Sequence, residues 1–261
     1  MKDYNVPGME FIDTHCHIHA ADFTLDAEET IRGAKAQGVN RLICVGTDEV
    51  DSALAVAFAN MHDGVWASIG LHPHDAKLGT EAFNALTSLA EKPKIVAVGE
   101  CGLDYYYNHS AKEDQEKALR FQIELALTHK LPMIFHVRDA FDDFWPIFDS
   151  YEGVRGVIHS FTATSKELDE ALERGLYIGL NGIMTFSKNE EQLVAAKAVP
   201  LERLLLETDA PFLTPVPLRG KVNEPKNVVL TAEFLSKLRG ESLEQIALAS
   251  TNNAKELFQL R

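Results

Sequence analysis

Short apolar runs rich in β-branched residues alternate, along the whole chain, with longer segments whose apolar positions recur every three or four residues. Runs of the first kind cover residues 11–17, 41–46, 65–71, 95–101, 132–137, 154–160, 175–181 and 204–208, lengths typical of buried strands. Segments of the second kind, such as residues 48–61 and 112–129, carry one apolar and one charged face, as helices lying on a sheet do. Repeated βα units predict a parallel sheet, and eight such strands close into a (β/α)8 TIM barrel. After the eighth run, the Pro-rich stretch 214–225 reads as a loop. Helical segments near 228–238, 243–249 and 253–259 follow and are expected to cover the outside of the barrel. No linker, repeat or low-complexity tract interrupts the pattern, so residues 1–261 are expected to form one domain.

A chain of 261 residues at 46% hydrophobic can bury a large core, and barrels of this type occupy that length as a single unit. The N-terminus carries no basic stretch leading into an apolar segment and a cleavage site, and no apolar run approaches membrane-spanning length. A cytoplasmic protein is expected. Cys16, Cys44 and Cys101 are odd in number and fall in or beside apolar strand-like runs, which predicts buried thiols rather than a disulfide framework. Strand alternation turns Cys16 away from its neighbours His15 and His17. The net charge of −14 excludes a broad basic footprint for duplex nucleic acid, so any phosphate recognition has to be local.

Candidate chemistry sits at the ends of the strand-like runs. His15 and His17 in the first run share one side of an extended backbone and project into one space. Glu100, His136, His159 and Asp209 stand at or just past the ends of runs four, five, six and eight. Active-site residues of barrels come from this rim, and six metal-capable side chains placed there across five strands point to a metal site. A set mixing imidazole with carboxylate suits Zn, but also the harder ions Mn and Mg, so metal identity stays open.

Other rim residues carry weaker signals. His72, in Gly70-Leu71-His72-Pro73-His74, is a candidate for substrate binding or proton transfer, against a solvated loop histidine. Arg138 stands two residues past His136 and could clamp a phosphate or pair with Asp139 or Asp142. Arg219 and Lys221 flank Gly220 in the late loop, where barrels often build phosphate contacts, although a solvated charged loop has the same composition.

Read together, the motifs resemble the TatD family of metal-dependent deoxyribonucleases, within the wider amidohydrolase-like barrels. DTHCHIH (13–19), IGLHPHDA (69–76), VAVGECGLDYY (96–106), FHVRDA (135–140), IHSFTAT (158–164) and LLLETDAPFLTP (204–215) follow in the family's order. NEPKNV (223–228) and STNNAKELF (250–258) extend the likeness over nearly the whole chain. The resemblance implies a two-metal phosphodiesterase with two divalent ions, Mg, Mn or Zn. His15, His17 and Asp209 would hold one ion and His136 and His159 the other, with Glu100 bridging. Asp209 would also orient or deprotonate the attacking water, which makes Asp209 and Glu100 the implied catalytic residues. DNA ends, single strands or small phosphodiesters are the implied substrates. The same metals could instead serve hydrolysis of a small amide, lactone or ester, although many such enzymes bridge through a modified lysine where this chain has Glu100. Three positions depart from the family pattern: Val222 where a basic residue is common, Asn227 where an aromatic is common, and Ala163 where glycine is common. Oligomeric state leaves no trace in the sequence.

Overall fold

The computed structural model describes residues 9–107 and 109–260. Its strands are β1 (Phe11–Cys16), β2 (Val39–Val45), β3 (Val65–Ile69), β4 (Ile95–Asp104), β5 (Met133–Arg138), β6 (Gly156–Ile158), β7 (Tyr177–Leu180) and β8 (Leu204–Leu206). Between and after them lie α1 (Ala27–Ala36), α2 (Glu49–Met61), α3 (Thr80–Leu89), α4 (Lys112–His129), α5 (Phe141–Phe148), α6 (Ser165–Glu173), α7 (Glu190–Ala198), α8 (Val228–Arg239) and α9 (Leu243–Phe258). The eight strands belong to one sheet in the order β1 to β8, and β1 meets β8 again through the parallel bridge Cys16–Ala210. That is the barrel topology expected from the alternation.

The chain divides into two compact units, residues 1–43 with 160–261 and residues 44–159. In the first, β1 is buried at every position. Thr14 donates its hydroxyl to the Leu206 carbonyl of β8 at 3.0 Å, so the two strands that carry the ends of this unit are tied side to side. α9 is one helix rather than the two segments expected over 243–249 and 253–259. Two polar residues at the expected gap find tertiary partners: Asn253 donates to the carbonyls of Leu201 and Leu204, and Thr251 to that of Glu10. With those partners supplied, nothing competes with the helical ladder. Ser242 and Gln245 start this helix with a capping box.

In the second unit, β3–β4, β4–β5 and β5–β6 pair in parallel. β4 runs to Asp104, three residues beyond the expected end, because Gly102, Leu103 and Asp104 continue the ladder onto His136, Val137 and Arg138 of β5. Its register shifts between Val98 and Cys101, a bulge that re-aims the intervening side chains, Glu100 among them. Gly102 (φ +148) has to be glycine, since a Cβ there would lie 1.9 Å from the His136 carbonyl oxygen. α2 begins at Asp48, whose carboxylate accepts from the amides of Val50 and Asp51. Cys16, Cys44 and Cys101 are buried, as expected. Among the described residues no helix is long and apolar enough to cross a membrane.

Candidate metal centre

Each unit carries a cluster of ligand-type side chains. In the first, His15 within β1 and His17 just past it bring their Nε2 atoms to 3.1 Å from each other. The same two atoms lie 3.6 and 3.3 Å from Asp209 Oδ1. Extended backbone supplies the first pair. Asp209 is brought to it by a left-handed turn (φ +57) past the end of β8, an uncommon conformation for a side-chain-bearing residue. The turn is locked by its neighbours. The Asp209 amide donates to the His15 carbonyl at 2.8 Å, and the His17 amide to that of Ala210.

Behind this cluster lies a buried polar brace. Asp13 Oδ1 accepts from the amides of His15 and Thr208, and its Oδ2 accepts from the Thr208 hydroxyl at 2.5 Å. Burial pushes the Asp13 carboxyl well above the usual carboxylate range, against the pull of the Thr208 hydrogen bonds. Asn223 donates to the carbonyls of Thr208 and Phe212, pinning the loop that follows Asp209. One carboxyl and one carboxamide therefore hold both backbone segments that present the cluster.

The second unit gathers its cluster from four places in the chain. Glu100 Oε1 lies 2.8 Å from His136 Nδ1, 3.5 Å from His72 Nε2 and 3.5 Å from His159 Nε2. His72, Glu100 and His136 offer ligand atoms that all lie within 4.8 Å of one another. His136 turns its other nitrogen, Nε2, to Asp104 Oδ2 at 3.0 Å. Burial lowers the basicity of His136, but Asp104 and Glu100 on its two sides outweigh it and raise the pKa above the ordinary histidine value. His72 is different: burial brings it down to about 4 despite Glu100. Its Nδ1 accepts the His74 backbone amide at 3.1 Å. That bond assigns the ring proton to Nε2, so His72 presents an N–H, not a lone pair, to its surroundings.

These donor sets fit divalent cations. Two imidazole nitrogens and a carboxylate oxygen converge in the first unit, largely out of water, where a cation compensates the carboxylate. In the second, a His136 that donates Nε2–H to Asp104 offers its Nδ1 lone pair to a cation beside Glu100, the arrangement in which a carboxylate orients a metal-binding imidazole.

A family model described as TatD related DNase matches residues 12–259. The chain belongs to this family. It is 40% identical, over 95% of its length and 98% of the relative's, to a protein of Bacillus subtilis named uncharacterized metal-dependent hydrolase YabD. It is 36% identical, over 94% and 97%, to the 3'-5' ssDNA/RNA exonuclease TatD of Citrobacter rodentium. Among solved structures, the TatD homolog YJJV of Escherichia coli superposes with a TM-score of 0.89 at 31% identity, covering 96% of this chain and 98% of that one. The fold is therefore the (β/α)8 barrel, and the chain is a metal-dependent hydrolase with several His, Asp and Glu groups able to bind metal.

Within the TatD motifs, the other expected contacts are engaged with aromatic rings or open to solvent. The Arg138 guanidinium lies over the rings of Tyr106 and Tyr107, at 4.2 and 4.8 Å. Arg219 donates to the Thr214 carbonyl and covers the Phe186 ring at 3.7 Å, and Lys221 is exposed. Asn227, one of the departures noted in the sequence, is buried and donates to Asn223, which ties it to the brace behind Asp209. Asp13, Asp104, Thr208 and Asn223 were not singled out as site residues from sequence. For Asp104 a signal existed: it stands four residues after Glu100 on one strand, at the even spacing that shares a face. Nothing local marked Asn223, whose partners lie 15 and 11 residues away.

Proposed function

We propose that this protein is a metal-dependent nuclease that releases nucleotides from the ends of single-stranded DNA or RNA. The observation that carries the reading is the convergence of imidazole nitrogens on one carboxylate oxygen in each unit, Asp209 Oδ1 and Glu100 Oε1. It is supported by the name of the 36% identical relative, a 3'-5' ssDNA/RNA exonuclease. In this reading the chain works as one domain with two divalent ions, Mg, Mn or Zn. His15, His17 and Asp209 would hold one, His136 and His159 the other, with Glu100 between them. When bound, such ions lower the pKa of water and neutralise charge on the phosphoryl oxygens in an in-line displacement.

The chain's own groups do the rest. Asp209 faces His15 and His17 through Oδ1, and its other oxygen orients the attacking water and takes its proton. His72 donates Nε2–H to a non-bridging phosphoryl oxygen, the role its tautomer allows. Arg138, Arg219 and Lys221 supply local positive charge to the strand, against a net charge of −14 that repels long polyanions. Duplex DNA is therefore engaged poorly and strand ends preferentially. The absence of a membrane-spanning helix among the described residues agrees with work in the cytoplasm.

The test is hydrolysis by metal-stripped protein resupplied with Mg, Mn or Zn, on a single-stranded oligonucleotide and on a panel of small amides and lactones. Nucleotide release that returns with metal is the expected result. Activity confined to the carbonyl substrates would overturn the nuclease reading.

A further inference from the structure

Three consecutive tyrosines follow Asp104, and two of them are exposed to a degree that burial energetics does not explain. Tyr106 is 57% and Tyr107 50% exposed, which leaves large apolar rings in water. They are nonetheless ordered by specific contacts. The amides of both donate to Asp104 Oδ1, at 2.9 and 3.0 Å, while Asp104 Oδ2 faces His136 and His74 at 3.0 Å each. One carboxylate thus fixes the tyrosine backbone on one side and the imidazole assigned to the metal on the other.

The rings themselves are arranged by plane. His109 stacks on Tyr107 at 5.7 Å with an interplanar angle of 18°, and His74 meets it edge-on. Tyr107 is therefore the inner, supported ring. Tyr106 stands edge-on to it at 4.8 Å, and the Arg138 guanidinium spans both. A rigid, half-exposed ring backed by a guanidinium is what a nucleobase stacks upon, since every base has a π-face and stacking is tolerant of sequence. A phosphate would gain less here, because the exposed ring faces are aromatic carbon and the Arg138 guanidinium already lies over two of them.

We propose that Tyr106, supported by Tyr107 and Arg138, is a stacking platform for the terminal base of a single strand. The inference rests on the nuclease reading and adds where the base is held. A terminal base held on Tyr106 adds an anchor to the local cations, which suits a protein whose net charge of −14 repels long phosphate chains.

The experiment compares metal-loaded wild type, Tyr106→Ala and Tyr106→Phe on two oligonucleotides, identical except that one has an abasic terminal residue. In wild type, loss of the base raises KM about tenfold (~1.4 kcal/mol, on the scale of one base–aromatic stack). In Tyr106→Ala the two oligonucleotides have equal KM, and Tyr106→Phe restores the difference, which a role of the hydroxyl or of general loop stability would not do. Base dependence that persists in Tyr106→Ala overturns the platform while leaving the nuclease intact. Wild type that shortens neither oligonucleotide overturns the nuclease reading, and the platform with it.

Discussion

In the cluster on β1 and the end of β8, side-chain positions are set by backbone and braced from behind by buried polar groups. In the cluster on β4, β5 and β6 they are set by side chains meeting one another. His15 and His17 share a face by strand alternation, and Asp209 joins them through its own amide bond to His15 and a left-handed turn. Glu100 instead depends on a bulge, and His72, His136 and His159 reach it from segments up to 59 residues away. The first cluster is a backbone-defined pocket whose supports, Asp13, Thr208 and Asn223, touch main chain. The second is a relay of carboxylate and imidazole in which each group orients the next, ending at the exposed tyrosines. Charge removal should therefore cost more in the second cluster, and loss of a brace should be felt more as stability in the first.

The largest effect expected is from the carboxylates. Glu100→Ala and Asp209→Ala should both reduce strand hydrolysis to background with the fold retained, because each removes the carboxylate on which the imidazoles of its cluster converge. Metal analysis separates them: Asp209→Ala should lose one ion per chain, and Glu100→Ala should weaken both. Near-normal turnover in either folded variant would break the assignment, and equal loss of one ion from each would make the two clusters independent rather than bridged.

The same contrast explains how far the sequence could be read. The strand and helix alternation was legible because periods of two and of about 3.6 are local properties, and the His15/His17 pair followed from the first of these. Glu100 stood out as a carboxylate at the end of the fourth run, but its aim was not legible, since the bulge between Val98 and Cys101 depends on how β4 pairs with β5. The extension of β4 to Asp104 was missed for the same reason. The continuity of α9 was not legible, since the carbonyls of Glu10, Leu201 and Leu204 that accept from Thr251 and Asn253 belong to distant segments.

A smaller effect should come from Asp104→Asn. The substitution keeps the shape beside His136 but removes the charge that holds Nε2–H, and loss of such an orienting partner typically weakens metal affinity by about 10–100-fold. Titration of stripped protein with Mn or Zn should show that loss at one of the two ions. The tyrosine amides also lose their charged acceptor, so KM for an oligonucleotide should rise alongside. Unchanged affinity for both ions would mean that His136 is oriented by Glu100 and the strand alone.

The brace of the first cluster gives the smallest change in chemistry. Asn223→Ala removes the donors to Thr208 and Phe212 and the acceptor for Asn227 and the Glu224 amide. Buried groups left without partners cost about 1–3 kcal/mol, so urea unfolding should report a loss of that order. Asp209 keeps its own amide bond to His15, and Asp13 keeps Thr208, so the ligand focus should survive and turnover should fall only a few-fold. Asn223→Asp separates the two halves of the argument, since it keeps the acceptor that Asn227 uses and loses the two donations to carbonyls. If it is as unstable as the alanine variant, the carbonyl bonds dominate. If turnover in either variant instead falls as far as in Asp209→Ala, the brace belongs to the ligand set, and the distinction between a backbone-defined and a side-chain-defined cluster fails.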